Sequence, residues 1–394
     1  MTNAPQLPRV GVVLREGETV SPLELFFDLV FVLAITQCTA LMVEHPTWTG
    51  IGRGLIVLGL LWWSWVGYAW LTSVVDPEEG FVRLSLFASM GALLVAALCV
   101  PDAFGDHGVT LAIAYGVFRA GQILVFLLAS RNDPQLRHSV LGLALSTFAA
   151  AVVLVGGAFL DSGPQAAVWL GALALDMVAP MFIDTRGWRF EPAHFAERHG
   201  LIVIVALGES IVAIGAGAGS EVDGGVIVAA VLGIAVVAGF WWAYFDVSSI
   251  LAARRLAAVE DERERNELAR DAYSYLHLPM VAGIVLVAFG LRVTLTHVGD
   301  PLGWEAATAL VGGTALYLLA VLAFKRRTIG RFSGQRLVGV AVVVPIIPLS
   351  HRIDAGATLA LVATVLWALF AYEAVRFAEA RNEARHAGHA HDTA

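Results

Sequence analysis

What most constrains this chain is a succession of apolar stretches, each about twenty residues long, that carry no charge or one isolated charge. A helix that crosses the hydrocarbon core of a bilayer needs about 20 such residues. Twelve stretches qualify, near 25–43, 54–75, 82–101, 108–130, 138–160, 164–183, 200–220, 224–250, 272–296, 303–324, 337–351 and 355–377. Of 394 residues, 58% are apolar and 15% charged, against about 45–50% and about 25% in a soluble domain. A soluble fold would need more polar surface than these residues supply, so lipid is the expected solvent. Only closed barrels and helices satisfy their backbone there, and stretches of this length select helices. The expected fold is an all-α integral membrane protein of about 12 transmembrane helices.

The pieces between the stretches carry turn chemistry: Asp76-Pro77, Asn132-Asp133-Pro134, Ser162-Gly163-Pro164, Asp223-Gly224-Gly225 and Gly299-Asp300-Pro301. The opening residues show no apolar segment followed by a cleavage site, so no signal peptide is expected. Positively charged loops stay cytoplasmic. With twelve spans, 21 of the 25 basic residues fall on the side that holds both termini, the exceptions being Arg53, Arg119, Arg292 and Arg352. The predicted location is the bacterial inner membrane, multi-pass, with N- and C-termini cytoplasmic.

Spans one and seven each begin behind a glutamate and reach a polar group at mid-depth, Glu24 before Gln37 and Glu197 before Glu209. Spans two and eight each hold a tryptophan pair, Trp62-Trp63 and Trp241-Trp242. This points to a parallel internal duplication of six plus six helices. The expected organisation is a cytoplasmic segment at 1–20, membrane halves at 21–190 and 191–378, and a disordered cytoplasmic tail at 379–394.

A charge at mid-membrane costs about 2.5–3.5 kcal/mol on insertion scales, so each calls for a partner, a hydrated cavity or a role. Arg119 and Glu209 lie near the middle of spans four and seven, and Asp176 deeper toward the cytoplasmic half of span six. Tyr115, Arg119 and Gln122 fall at i, i+4 and i+7, a polar stripe that should face the bundle interior. One reading is an Arg–carboxylate pair that fixes helix packing. The other is a hydrated ion or proton pathway built on Glu209, Arg119 and Asp176.

Span one opens Ser21-Pro22-Leu23-Glu24, an N-cap, a proline in the first turn and a glutamate at N3. Asp28 follows one turn later on the same face. His277, before Pro279 at the start of span nine, reads as a hydrogen-bonded packing residue or a proton relay. Pro345 and Pro348 prevent span eleven from being a regular helix. Trp62, Trp63 and Trp65 sit too deep for an interfacial belt; they pack inside or wall a ligand. Trp62, Trp63, Tyr115, Gln122, Gln37 and Ser210 are thus the candidate substrate pocket. The alternating charges from Glu260 to Asp271 predict a solvated helix leading into span nine.

The net charge of −8 offers no basic stripe, which sets nucleic acid aside. Cys38 and Cys99 lie inside apolar stretches and read as packing residues. The tail histidines 386, 389 and 391 make at most a weak metal site. No HExxH, Walker loop, nucleophile elbow or dinucleotide fingerprint occurs, so no catalytic residue, metal or cofactor is expected.

Ser21-Pro22-Leu23-Glu24-Leu25-Phe26-Phe27-Asp28-Leu29-Val30-Phe31-Val32 resembles the opening signature of the low temperature requirement protein A family of bacterial membrane proteins. So do His194, Glu197-Arg198-His199-Gly200-Leu201 and Leu207-Gly208-Glu209-Ser210, with Trp62-Trp63 and Tyr275-Leu276-His277-Leu278-Pro279 in agreement. The likeness runs from about residue 21 to 378. It implies a polytopic helical membrane protein linked by name to growth at low temperature. Phe26 to Thr36 is also similar to the Phe-Ser-Asp helix of lysosomal and bacterial potassium channels. Pro22 stands where those channels carry an arginine, and the second half has no Phe-x-Asp copy.

The leading expectation is a secondary transporter for a small ion or small molecule. Glu209 would be the protonatable group, Arg119 and Asp176 its electrostatic setting, Asp28 part of the same pathway and His277 a relay. A cation channel, an intramembrane lipid-modifying enzyme and a structural or sensory membrane protein are the alternatives. The lipid bilayer is the expected partner, and oligomerisation is left open.

Overall fold

The computed structural model describes residue 15 and residues 19–183, 187–219 and 222–386. Most of the expected 1–20 segment, Arg9 and Arg186 of the charge count, and residues 387–394 of the tail lie outside them. Ten helices among the described residues are long and apolar enough to cross a membrane. The first half contains α1 (Pro22–Glu44), α2 (Trp48–Val74), α3 (Gly80–Cys99), α4 (Gly108–Ala129), α5 (Pro134–Gly157) and α6 (Ser162–Val178). The second contains α7 (Pro192–Ala218), α8 (Gly224–Phe245), α9 (Ser248–Ala257), α10 (Glu262–Leu268), α11 (His277–Thr296), α12 (Trp304–Ala307), α13 (Gly313–Ile329), α14 (Gly334–Val343), α15 (Ile346–Leu349) and α16 (Ala355–Arg376).

All twelve predicted stretches are helical, but two fall short of a regular span. α6 has 17 residues and ends in a 3₁₀ turn at Ala179–Met181, where Pro180 removes a backbone donor. The eleventh stretch is broken between α14 and α15 at Pro345, as its prolines require. The ninth runs as one helical rod from Glu262 to Thr296, including the solvated α10 predicted from its alternating charges. A π-helical segment, Ala269–Tyr275, joins α10 to α11. Its wider turn precedes Pro279, which would otherwise clash with the carbonyl four residues back.

The tail departs from expectation: α17 (Ala378–His386) is a helix where disorder was predicted. Arg381 and Arg385 both bond Asp246 at the end of α8, the former at 2.9 Å, so ion pairing anchors a segment with no apolar run.

α2, α11 and α13 are enclosed on nearly all sides, whereas α5 is mostly exposed. Its exposed Leu141, Leu145, Phe148 and Val152 recur every three or four residues, a stripe suited to acyl chains. Inside, close backbone approach replaces bulk. A Cβ on Gly283 of α11 would meet the Gly313 carbonyl oxygen of α13 at 2.8 Å, and one on Gly313 would meet the Gly283 oxygen at 2.9 Å. Small residues of this kind drive helix association in lipid, where apolar side chains gain little by leaving the solvent. Cys38 and Cys99 are buried free thiols, in keeping with a packing role.

Candidate functional site

Three of the polar networks among the described residues hold the predicted site residues, and each depends on which helices meet. The first joins α1 to α7. The capping box at Ser21 is present: Glu24 N bonds Ser21 Oγ at 3.3 Å and Ser21 N bonds the Glu24 carboxylate at 2.9 Å. The same carboxylate accepts from His194 Nε2 at 3.0 Å and pairs with Arg15 and Arg198, both at 3.2 Å. Asp28 takes Arg198 Nη2 and Trp65 Nε1 at 2.9 Å each. On α1 the acids are the third and seventh residues, and on α7 His194 and Arg198 hold the same places. The i, i+4 spacing puts each pair on one face, and two parallel helices then match them depth for depth. His194 Nδ1 lies 3.0 Å from Ser73 Oγ of α2, so three helices share the cluster.

α7 therefore begins eight residues before its apolar stretch, at Pro192 rather than 200. Glu209 becomes its eighteenth residue of 27, about two-thirds of the way along. There it accepts a hydrogen bond from Thr36 Oγ1 of α1. No hydrogen bond or ion pair among the described residues links Glu209 to Arg119, Asp176 or His277.

Arg119 instead belongs to a second network within the first half. Its Nη2 bonds Asp176 Oδ2 of α6 and Thr147 Oγ1 of α5, both at 2.8 Å, and Thr147 donates to the other Asp176 oxygen at 3.1 Å. Arg119 Nη1 donates to Gln122 Oε1 at 2.8 Å. Tyr115, Arg119 and Gln122 are all buried, so the predicted polar stripe does face inward. Beside it lies a cavity of about 100 Å³ walled by Trp63, Trp70, Phe126 and Trp188. The π segment supplies its far wall: Ser274 accepts Trp62 Nε1 on its carbonyl at 2.9 Å and Trp70 Nε1 on its hydroxyl at 3.0 Å.

The third network is aromatic and lies in the second half. His277 Nδ1 donates to the Ala272 carbonyl at 3.1 Å, which leaves Nε2 to accept from Tyr244 at 2.8 Å. His199, held through Nδ1 by the Phe195 carbonyl at 2.9 Å, packs edge-on to His277 with ring centroids 5.3 Å apart.

Of the six pocket candidates, Trp63 and Gln122 line the cavity. Trp62 sits behind it on Ser274, Tyr115 is buried one turn along α4, and Gln37 and Ser210 lie on α1 and α7 away from it. His194 and Arg198 are the site residues that hydropathy passed over, because they precede the apolar stretch. Their signal was the His-x-x-x-Arg spacing behind Pro192, complementary to Glu-x-x-x-Asp behind Pro22.

The fold and its buried charge networks define a polytopic helical membrane protein. The family model for the bacterial low temperature requirement A protein (LtrA) matches residues 19–371, and the chain belongs to that family. It is also similar to the uncharacterized protein RA0937 of Rhizobium meliloti (strain 1021), 29% identical over 318 residues, 77% of this chain and 76% of the relative. No solved structure matches it.

Proposed function

We propose that this chain is a secondary transporter of the bacterial inner membrane, with cytoplasmic termini, in which Glu209 carries an exchangeable proton or small cation. The observation behind this is a contrast among five buried carboxylates of the described residues. Glu24, Asp28, Asp176 and Asp246 each have an arginine within 4.0 Å, whereas Glu209 has a hydroxyl and no ion-pair partner. A bare carboxylate in a low-dielectric interior costs several kcal/mol. A bound proton or cation removes that cost, and its exchange is a transport step.

Arg119 and Asp176 neutralise each other, so their role here is to shape the neighbouring cavity rather than to set the charge of Glu209. His277 is occupied on both nitrogens by Tyr244 and Ala272, and this supports a packing role over a relay. Asp28 is tied to Arg198 and serves to lock α1 against α7. The parallel seating of α1 on α7 supports a six-plus-six duplication. It also favours transport over a channel, since ion pairs close the gap between the two helices that a pore would need. An enzyme reading asks His277, Glu209 and Asp28 to converge, and they hold three separate sets of partners.

The test is ion movement in proteoliposomes with an internal pH-sensitive dye and an imposed potassium gradient. Wild type should show protein-dependent flux, and folded Glu209→Gln should lose it. Equal flux from both would remove Glu209 from the mechanism.

A further inference from the structure

The cavity beside Arg119 opens where α2, α4 and α6 end and where α5 and the rod entering α11 begin. Four aromatic rings wall it, and among the described residues no carboxylate lines it. Its lining charges are Arg119 and Arg270. Arg270 shares Asp271 with Arg327, at 2.8 and 3.0 Å, so two guanidiniums face one carboxylate and the group keeps an excess positive charge.

Gln122 is the decisive side chain. Arg119 Nη1 can bond only the amide oxygen, and this turns the NH₂ group the other way. Nε2 is buried and has no hydrogen-bond partner. The amide lies flat against Gly67, where a Cβ would collide with it, and both residues line the cavity. An orphaned buried donor costs about 1–3 kcal/mol, which a ligand acceptor recovers.

We infer that this cavity binds a small planar aromatic carboxylate, with its ring among Trp63, Trp70, Phe126 and Trp188 and its carboxylate drawing the Gln122 amide off Gly67 to accept from Nε2. The donors, the positive rim and the absence of acidic lining exclude a cation of the same shape. As a substrate site the cavity rests on the transport reading above; as a binding site it is measured without any flux.

Equilibrium dialysis of radiolabelled benzoate against the purified full chain in dodecylmaltoside tests this, with benzylamine as the cation of matching shape. Wild type should bind benzoate saturably and benzylamine at least about tenfold more weakly. Gln122→Glu keeps an acceptor for Arg119 but replaces the amide donor, and should weaken benzoate about tenfold or more. If that variant does not fold, Arg270→Gln at the rim decides, with an expected loss of about threefold or more from removing one half-buried charge. Equal binding of benzoate and benzylamine overturns the inference. So does unchanged benzoate affinity in a folded variant, or no saturable binding by folded wild type below about 10 mM. Benzoate binding with no Glu209-dependent flux would remove the transport reading and leave the site standing.

Discussion

Arg198→Met tests the α1–α7 cluster most sharply. Arg198 is fully buried, its guanidinium 3.2 Å from Glu24 and 2.9 Å from Asp28, with its Cζ 5.6 Å from the Trp65 ring centre. Methionine occupies a similar path without charge, so cavity formation is a minor part of the effect. The main part is a carboxylate left uncompensated in the interior, about 3–5 kcal/mol when one partner of a buried pair is removed. The two acids are not equally exposed to that loss. Glu24 keeps Arg15 and His194, whereas among the described residues Asp28 keeps only the Trp65 indole. Adding Asp28→Asn to Arg198→Met should therefore restore most of the stability, with a coupling energy of about 2–3 kcal/mol, near the top of the range for contacting residues. Adding Glu24→Gln instead should restore less. Reversible unfolding in mixed dodecylmaltoside and dodecyl sulfate micelles, followed by tryptophan fluorescence, reads all the variants. The reasoning is refuted if Arg198→Met lies within about 1 kcal/mol of wild type, or if Glu24 couples to Arg198 more strongly than Asp28 does.

Glu209→Gln should behave in the opposite way in the same assay: with no contact ion pair to lose, its stability should stay within about 0.5 kcal/mol of wild type or rise. A loss above about 2 kcal/mol would mean that the carboxylate is paired after all. Asp176→Asn strands Arg119 with neutral partners and should cost about 3 kcal/mol or more, read from the same unfolding curves. Gly283→Leu drives a side chain into the Gly313 carbonyl and should cost at least about 1–3 kcal/mol, seen as earlier loss of a monodisperse peak on heating. Trp62→Phe gives up one bond to the Ser274 carbonyl and should cost about 1 kcal/mol, with the π segment exchanging its amides faster.

Much of the architecture follows from the residues taken in order. Lengths of apolar sequence demand helices because lipid offers the backbone no other partner. The turn residues between them, the Ser21 capping box, the break at Pro345 and the solvated α10 are local matters, settled within a few residues of chain. The inward face of Tyr115, Arg119 and Gln122 is also local, since helical spacing alone aligns them.

Partner choice is not local. Arg119 had two carboxylates at plausible depth, and only the packing of α4 against α5, and of α5 against α6, assigns it to Asp176 and leaves Glu209 with no arginine in contact. His194 and Arg198 count as costs in any hydropathy sum, yet facing Glu24 and Asp28 they carry α7 eight residues beyond its apolar stretch. The two tryptophan pairs, alike in sequence, separate in the fold: Trp62 and Trp63 are buried in the interior, while Trp241 is 46% exposed on the outer surface. Residue order alone thus dictates a lipid-soluble helical bundle and the kinds of polar group inside it. Which of those groups neutralise one another, and which one is left to bind something else, follows from helix contacts between residues 170 and more positions apart, because an ion pair depends on distance in space.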